Sequence, residues 1–210
     1  MSKSFLKRAL EGYHPYVPGE QPPDGEDWVK LNTNESPLPP SPKVIEAIKA
    51  ATDESLRLYP SPTAAPARKA IAEHYGLEAG QVALGHPGLI AALDAVKDSY
   101  NLNRLAIVAA VAAIKDEEHH SKIVQHVVSE RAWLEDQLSE EGFEHSPSAA
   151  NFAFVKPPRG ASAAAVADAL RERRVLIRHY DREPIAGWFR ITIGTRRQHE
   201  RLLAALREIL

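Results

Sequence analysis

The chain has 210 residues, 44% of them hydrophobic and 26% charged, enough for one large globular domain or two small ones. Its 26 basic and 28 acidic side chains leave a net charge of −2, too little positive excess for a dedicated nucleic-acid binder. The absence of cysteine excludes disulfides, thiolate metal sites, iron–sulfur clusters and a cysteine nucleophile, and no apolar run approaches the roughly 20 residues of a membrane span. The first residues, Met1 to Arg8, lack the apolar stretch and cleavage site of a secretory signal, so the expected compartment is the cytoplasm.

Eleven of the 16 prolines fall within the first 66 residues. Pro15, Pro18, Pro22 and Pro23 forbid a continuous helix, because each lacks an N–H and restricts the residue before it. Residues 12–41 therefore read as an extended arm with one short strand at Trp28–Leu31. Such an arm lacks a core of its own and must lie across another surface, in the same chain or in a partner. Ser41-Pro42 opens a helix, cap followed by proline, with Val44, Ile45 and Ile48 on one face. After Tyr59-Pro60-Ser61-Pro62 a second helix runs from about Thr63 to Tyr75 and closes at Gly76. Gln81–Leu84 reads as a short strand, and His86-Pro87 as the start of a helix reaching Lys97.

From about Asn103 to Glu141 the pattern is helical, with Leu105, Val108, Val111, Ala112, Ile123, Val127, Leu134 and Leu138 as the apolar face. A helix of that length is unusual in a compact domain, which predicts a break near Lys115–His120; Gly142 supplies the terminal cap. The last third alternates. Asn151–Val155, Val175–Arg178 and Trp188–Ile193 read as strands, Ser162–Arg173 and Thr195–Leu210 as helices. The expected fold is α/β, a two-layer sandwich in which helices cover a small, mostly antiparallel sheet. Three segments are expected: the arm (1–41), a helical part (42–85) and a C-terminal part (86–210) that holds the long helix and the sheet.

The sites are sparse. Neither G-x-G-x-x-G nor a P-loop occurs, and Gly85-His86-Pro87-Gly88 is explained by turn duty alone. His119 and His120 are adjacent, whereas two metal-binding histidines on a helix stand three or four residues apart; Asp116 and His120 share a face, as a loose ion pair. No metal is expected. Arg190, inside the apolar strand Phe189–Ile193, is costly to bury without a carboxylate or phosphate on its guanidinium, and the pattern leaves open whether that partner is a ligand or an internal ion pair. Arg178 poses the same question at the end of the neighbouring strand, and the two together could form one anion pocket.

Leu31-Asn32-Thr33-Asn34-Glu35-Ser36-Pro37, Leu58-Tyr59-Pro60, Tyr100-Asn101-Leu102-Asn103, Ala150-Asn151-Phe152 and Arg190-Ile191-Thr192-Ile193-Gly194-Thr195 together resemble histidinol-phosphate aminotransferase. That is a fold-type I enzyme dependent on pyridoxal phosphate (PLP), and the expected sheet and helices would be its small C-terminal domain. By this resemblance Arg190 would hold the substrate carboxylate, with Arg178 as a second substrate contact. Tyr16, Asn34 and Glu35 would line the substrate pocket from the arm. Tyr59 would reach the cofactor phosphate of the other subunit in a homodimer.

The resemblance also exposes a gap. In the family, the strand matching Gln81–Leu84 leads into a phosphate-cradling loop and then a large PLP-binding domain, which carries the Schiff-base lysine and an aspartate facing the pyridine nitrogen. Here Val82-Ala83-Leu84-Gly85 passes directly to His86-Pro87-Gly88-Leu89-Ile90, similar to sequence just beyond that lysine. The large domain thus reads as excised, with the junction near Gly85 and an engineered origin expected. None of the ten lysines stands in a context like the family's lysine site. The expectation is a non-catalytic, self-associating structural module (homodimer or arm-swapped oligomer) with no cofactor. An aminotransferase active only with a separate large domain, or a weak phosphate- or carboxylate-binding module, are the competing readings. An uncovered face left by the excision would promote the self-association.

Overall fold

The structure is a computed structural model and describes residues 18–23, 25–82, 93 and 102–210. The chain forms two compact units. One unites residues up to Glu35 with Glu130–Leu210, and the other is Ser36–Ser129. These boundaries differ from the expected segments 1–41, 42–85 and 86–210, because the arm groups with the C-terminal third and the long helical region is divided between the units.

In the first unit the arm contributes strand β1 (Val29–Lys30). The other strands are β2 (Glu144–Ser146), β3 (Phe152–Lys156), β4 (Val175–Leu176), β5 (Arg178–His179) and β6 (Phe189–Thr192). Four of them form an antiparallel sheet in the order β2-β3-β6-β5, and β1 pairs with β4 in parallel. The expected strand Val175–Arg178 is therefore two strands in two sheets, separated at Ile177. Register places Ala153 opposite Ile191 and Val155 opposite Phe189, and all four side chains are buried. Period-two alternation then puts Phe152, Phe154, Arg190 and Thr192 on the other face.

Helices cover the buried face. A long helix, α4 in chain order, runs Glu117–Glu140 and buries Leu134 and Leu138 in this unit. Helix α5 (Ala163–Glu172) is capped by Ser162 and α6 (Arg196–Ile209) by Thr195. Thr195 and Gln198 cap each other's backbone reciprocally, which fixes where α6 begins. His199, Leu202, Leu203 and Leu206 fall at helical spacing on one face of α6, and all are buried. Helices α5 and α6 pack on each other and on β4. Each fully buried Leu, Ile or Phe contributes roughly 1.5–3 kcal/mol, so this face is the principal source of the unit's stability. After α4 the chain reverses at Gly142 (φ 83°), where Phe143 N–H donates to the Leu138 carbonyl at 2.9 Å. A side chain with a Cβ would be strained in that left-handed conformation.

The second unit is helical. It holds α1 (Pro42–Ala50), α2 (Ala65–Tyr75), α3 (Arg104–Ile114) and the first part of α4, with α1 and α2 both packed on α3. Ser41 caps α1 and Gly76 closes α2, as expected. Val44 of the expected α1 face is buried, whereas Ile45 is exposed. Ala64, Ala67 and Ile107 form a small core, joined by Ala110 and Val111.

The expected break falls between α3 and α4, at Lys115–Asp116. Its cause is tertiary. The buried Asp116 carboxylate accepts hydrogen bonds from Ser41 Oγ and, at 2.8 Å, from Lys43 Nζ, so it joins the start of α1 and does not pair with His120. Lys43 and Ser41 together hold the Asp116 carboxyl below its usual range. Gln81 lies in a short 3₁₀ turn (Ala79–Gln81) and not in a strand, because Glu78 and Gln81 cap each other's backbone. The rest of that expected strand, the helix His86–Lys97 and the junction near Gly85 fall outside the described residues except for Val82 and Leu93.

Candidate anion site on the sheet

Arg190 sits in β6, one of the two inner strands of the antiparallel sheet, on the face opposite the core. Its Nη2 donates to the Asn32 carbonyl at 3.1 Å, and its guanidinium carbon lies 5.9 Å from the centre of the Phe152 ring. Its Nε is buried with no hydrogen-bond partner. The internal ion pair left open by the sequence is thus not what holds it; a backbone carbonyl and a ring face do.

Arg178 in β5 is register-paired with Arg190 and lies 5.9 Å from the Tyr180 ring. Like charges directly opposite each other on adjacent strands are unfavourable, and an anion bound between guanidinium forks offsets that cost. Arg178 also lines a cavity of about 230 Å³ with Glu20, Asn32, Asp168, Arg171 and His179. Arg190 is not among that cavity's lining residues.

The arm builds one edge of the site. Thr192 Oγ lies 3.1 Å from both the Thr33 carbonyl and Asn34 Oδ1, and can donate to either. Lys30 pairs with Glu35. Further along, Arg171 grips both oxygens of Glu20, and Arg201 pairs with Asp27 at 2.9 Å. These contacts join Glu20, Asp27, Thr33 and Asn34 of the arm to the rest of the first unit. Of the expected site residues, Arg178, Arg190, Asn34 and Glu35 belong to this unit. Tyr59 belongs to the other unit, where it is 79% exposed. Tyr16 lies outside the described residues.

Two features escape sequence reading. Phe154 stacks on Trp188, centroids 4.9 Å apart and planes within 6°, and meets the edge of Tyr180 at 6.0 Å. This aromatic group shares the sheet face with Arg190; strand alternation signals Phe154, but only pairing brings in Tyr180 and Trp188. The second is a buried polar group. His199 is fully buried, its Nε2 accepts the Gly194 N–H at 2.8 Å, and its Nδ1 lies 3.3 Å from Glu130. Glu130 also accepts two hydrogen bonds from Arg196, whose guanidinium stacks 3.8 Å over Trp133. Burial pushes the Glu130 carboxyl up, but Arg196 and His199 together hold it below its usual value.

Lys30, Lys43 and Lys122 are paired with Glu35, Asp116 and Glu118, and Lys69 lies 3.7 Å from Glu73. Lys49, Lys115 and Lys156 are exposed, and Lys3, Lys7 and Lys97 lie outside the described residues. Among the described residues, no group of three or more His, Asp or Glu could hold a metal ion, and no helix is long and apolar enough to cross a membrane.

The profile of the family described as aminotransferase class I and II matches residues 75–206. Histidinol-phosphate aminotransferase 1 of Methylococcus capsulatus is 30% identical over 351 aligned positions, which take in 99% of this chain and 97% of the relative. The enzyme of the same name from Pseudomonas fluorescens is 28% identical over 353 positions, covering 100% of both. An alignment of 353 positions onto a chain of 210 residues leaves 143 positions opposite a gap. The crystal structure of histidinol-phosphate aminotransferase from Sinorhizobium meliloti, in complex with pyridoxal-5'-phosphate, superposes with a TM-score of 0.74 at 15% identity. That match covers 86% of this chain and 90% of the other, and shows likeness of fold.

Proposed function

The chain belongs to the class I and II aminotransferases, and on that premise we propose that it is a non-catalytic, domain-deleted form of a histidinol-phosphate aminotransferase, an engineered excision that serves as a folded, self-associating structural module. One observation carries this reading. Relatives align from end to end, yet the chain lacks 143 of 353 aligned positions, so what is missing is internal. PLP-dependent transamination would need a lysine amine to hold the cofactor and move the substrate's α-proton, together with an acid beside the ring nitrogen. The described lysines are paired with carboxylates or exposed, which supports the loss of that chemistry. Self-association rests on apolar surface along α4, where Val124 and Val128 are 44% and 49% exposed.

The test is a PLP titration followed by borohydride reduction and intact-mass analysis, with histidinol phosphate and 2-oxoglutarate turnover measured in parallel. No stoichiometric adduct and no turnover are expected. One fully labelled lysine, or turnover by this chain alone, refutes the reading. Turnover only on addition of a separately produced large domain would establish the complementing enzyme instead. Size-exclusion chromatography with light scattering tests self-association; a monomer across a hundredfold concentration range would remove that part.

A second reading, a weak anion-binding module, is favoured by the unpartnered Arg190 Nε and the facing Arg178. Phosphate should raise the melting temperature of the wild type and leave Arg190→Ala unmoved. An equal shift in both proteins excludes Arg190 as the anchor.

A further inference from the structure

The helical unit holds a cavity that the proposed function does not use. Ala47 of α1, Pro60 and Pro66 before and within α2, and Ile107, Val108 and Val111 of α3 line an open cleft of about 360 Å³. A dry cavity of roughly 150 Å³ accommodates benzene, so this one has room for a bicyclic ring or a short alkyl chain. Its volume lies within the usual range of small-molecule sites, roughly 300–1,000 Å³. The walls are small and fixed by proline at two positions, so the space does not depend on long side chains swinging aside.

One charged residue, Arg104, lines the cavity, and its Nε is buried with no hydrogen-bond partner. Arg104 is the first residue of α3, so the positive end of the helix reinforces its charge. Asn103 already occupies the Ala106 N–H with its side chain, at 2.8 Å. Ser61, the other polar lining residue, accepts from the Ala65 N–H at 3.1 Å. Asp53 is close enough to feel Arg104, but its carboxylate accepts from the Ser55 N–H at 2.7 Å, a contact within its own turn. A partly buried guanidinium on the wall of an apolar cleft suits one chemistry, an anionic head on an apolar body.

The geometry points to a binding site for an apolar monocarboxylate of about bicyclic size, its body among the side chains of α1 and α3 and its carboxylate on Arg104. The cavity belongs wholly to the helical unit and is independent of the sheet arginines.

The probe is 2-naphthoate, titrated calorimetrically beside neutral 2-naphthalenemethanol. Wild type should bind naphthoate saturably at one site, about tenfold tighter than the alcohol. Arg104→Gln should weaken naphthoate about tenfold and leave the alcohol unchanged, and Ala112→Phe, which places a ring in the chamber, should abolish both. Circular dichroism checks that each variant is folded; if one is not, the wild-type ratio of acid to alcohol still decides. Absence of saturation at about 1 mM naphthoate, equal affinity for acid and alcohol, or wild-type binding in both variants overturns the proposal.

Discussion

Leu134→Ala and Ile123→Ala, on the same helix and in the same apolar stripe, should differ severalfold in cost. Leu134 is fully buried on α4, so its truncation removes the whole transfer free energy and leaves a cavity, about 3–5 kcal/mol. Ile123 is only half-buried, and Val124 and Val128 beside it are exposed. Truncation there removes part of a transfer term, opens no closed cavity, and gains a few tenths of a kcal/mol in helix propensity. The expected net cost is under about 1 kcal/mol. Urea unfolding followed by circular dichroism measures both, with the slope required to stay constant so that midpoints report stability. A cost for Ile123→Ala equal to that for Leu134→Ala would refute the reasoning, because the first half of α4 would then be covered in solution. Repeating the measurement at tenfold dilution would show whether another copy supplies that cover.

Three further outcomes follow from contacts described above. Gly194→Ala would place a Cβ 2.6 Å from Gln198 Oε1 and 2.8 Å from Leu31 Cδ2; it should cost about 1–3 kcal/mol in urea midpoint, and a neutral result would mean that the start of α6 moves freely. Glu130 titrates below its unfolded value in the folded chain, so its contribution is complete above the ordinary glutamate range and is lost as pH falls through the folded value; Glu130→Gln should flatten that acid limb of the stability profile. Glu135 is the opposite case. Burial raises its carboxyl, and its Oε1 is buried without a partner, so Glu135→Gln should raise the urea midpoint at neutral pH, with the gain vanishing once pH is low enough to protonate the wild-type side chain.

What the sequence revealed depended on how local the cause was. The helices expected to start at Ser41-Pro42, Ser162 and Thr195 begin there in the structure, because each of these side chains bonds the backbone within three residues. Helix length gave away the break near Lys115, although its agents, Ser41 and Lys43, lie more than 70 positions away. Strand β2 went unread because Glu144-His145-Ser146 carries no apolar alternation; its pairing with β3 defines it. Val175–Arg178 looked like one strand, since nothing local shows that Val175–Leu176 pairs with the arm and Arg178–His179 with β6. At the site, Arg190 and Arg178 were legible as costly charges in apolar strands. The fork's partner, a backbone carbonyl of Asn32, was not, because a carbonyl has no signature in sequence.

The pairing of Val29 with Val175 carries a consequence for how the chain assembles. Strand β1 precedes the strand that receives it by 146 positions, with the whole helical unit between them. Closing so long a loop is entropically the most expensive step in the topology, so β1 docks among the last elements. Until then Val29 and Leu31, which end up almost fully buried, wait beside an unoccupied edge of β4.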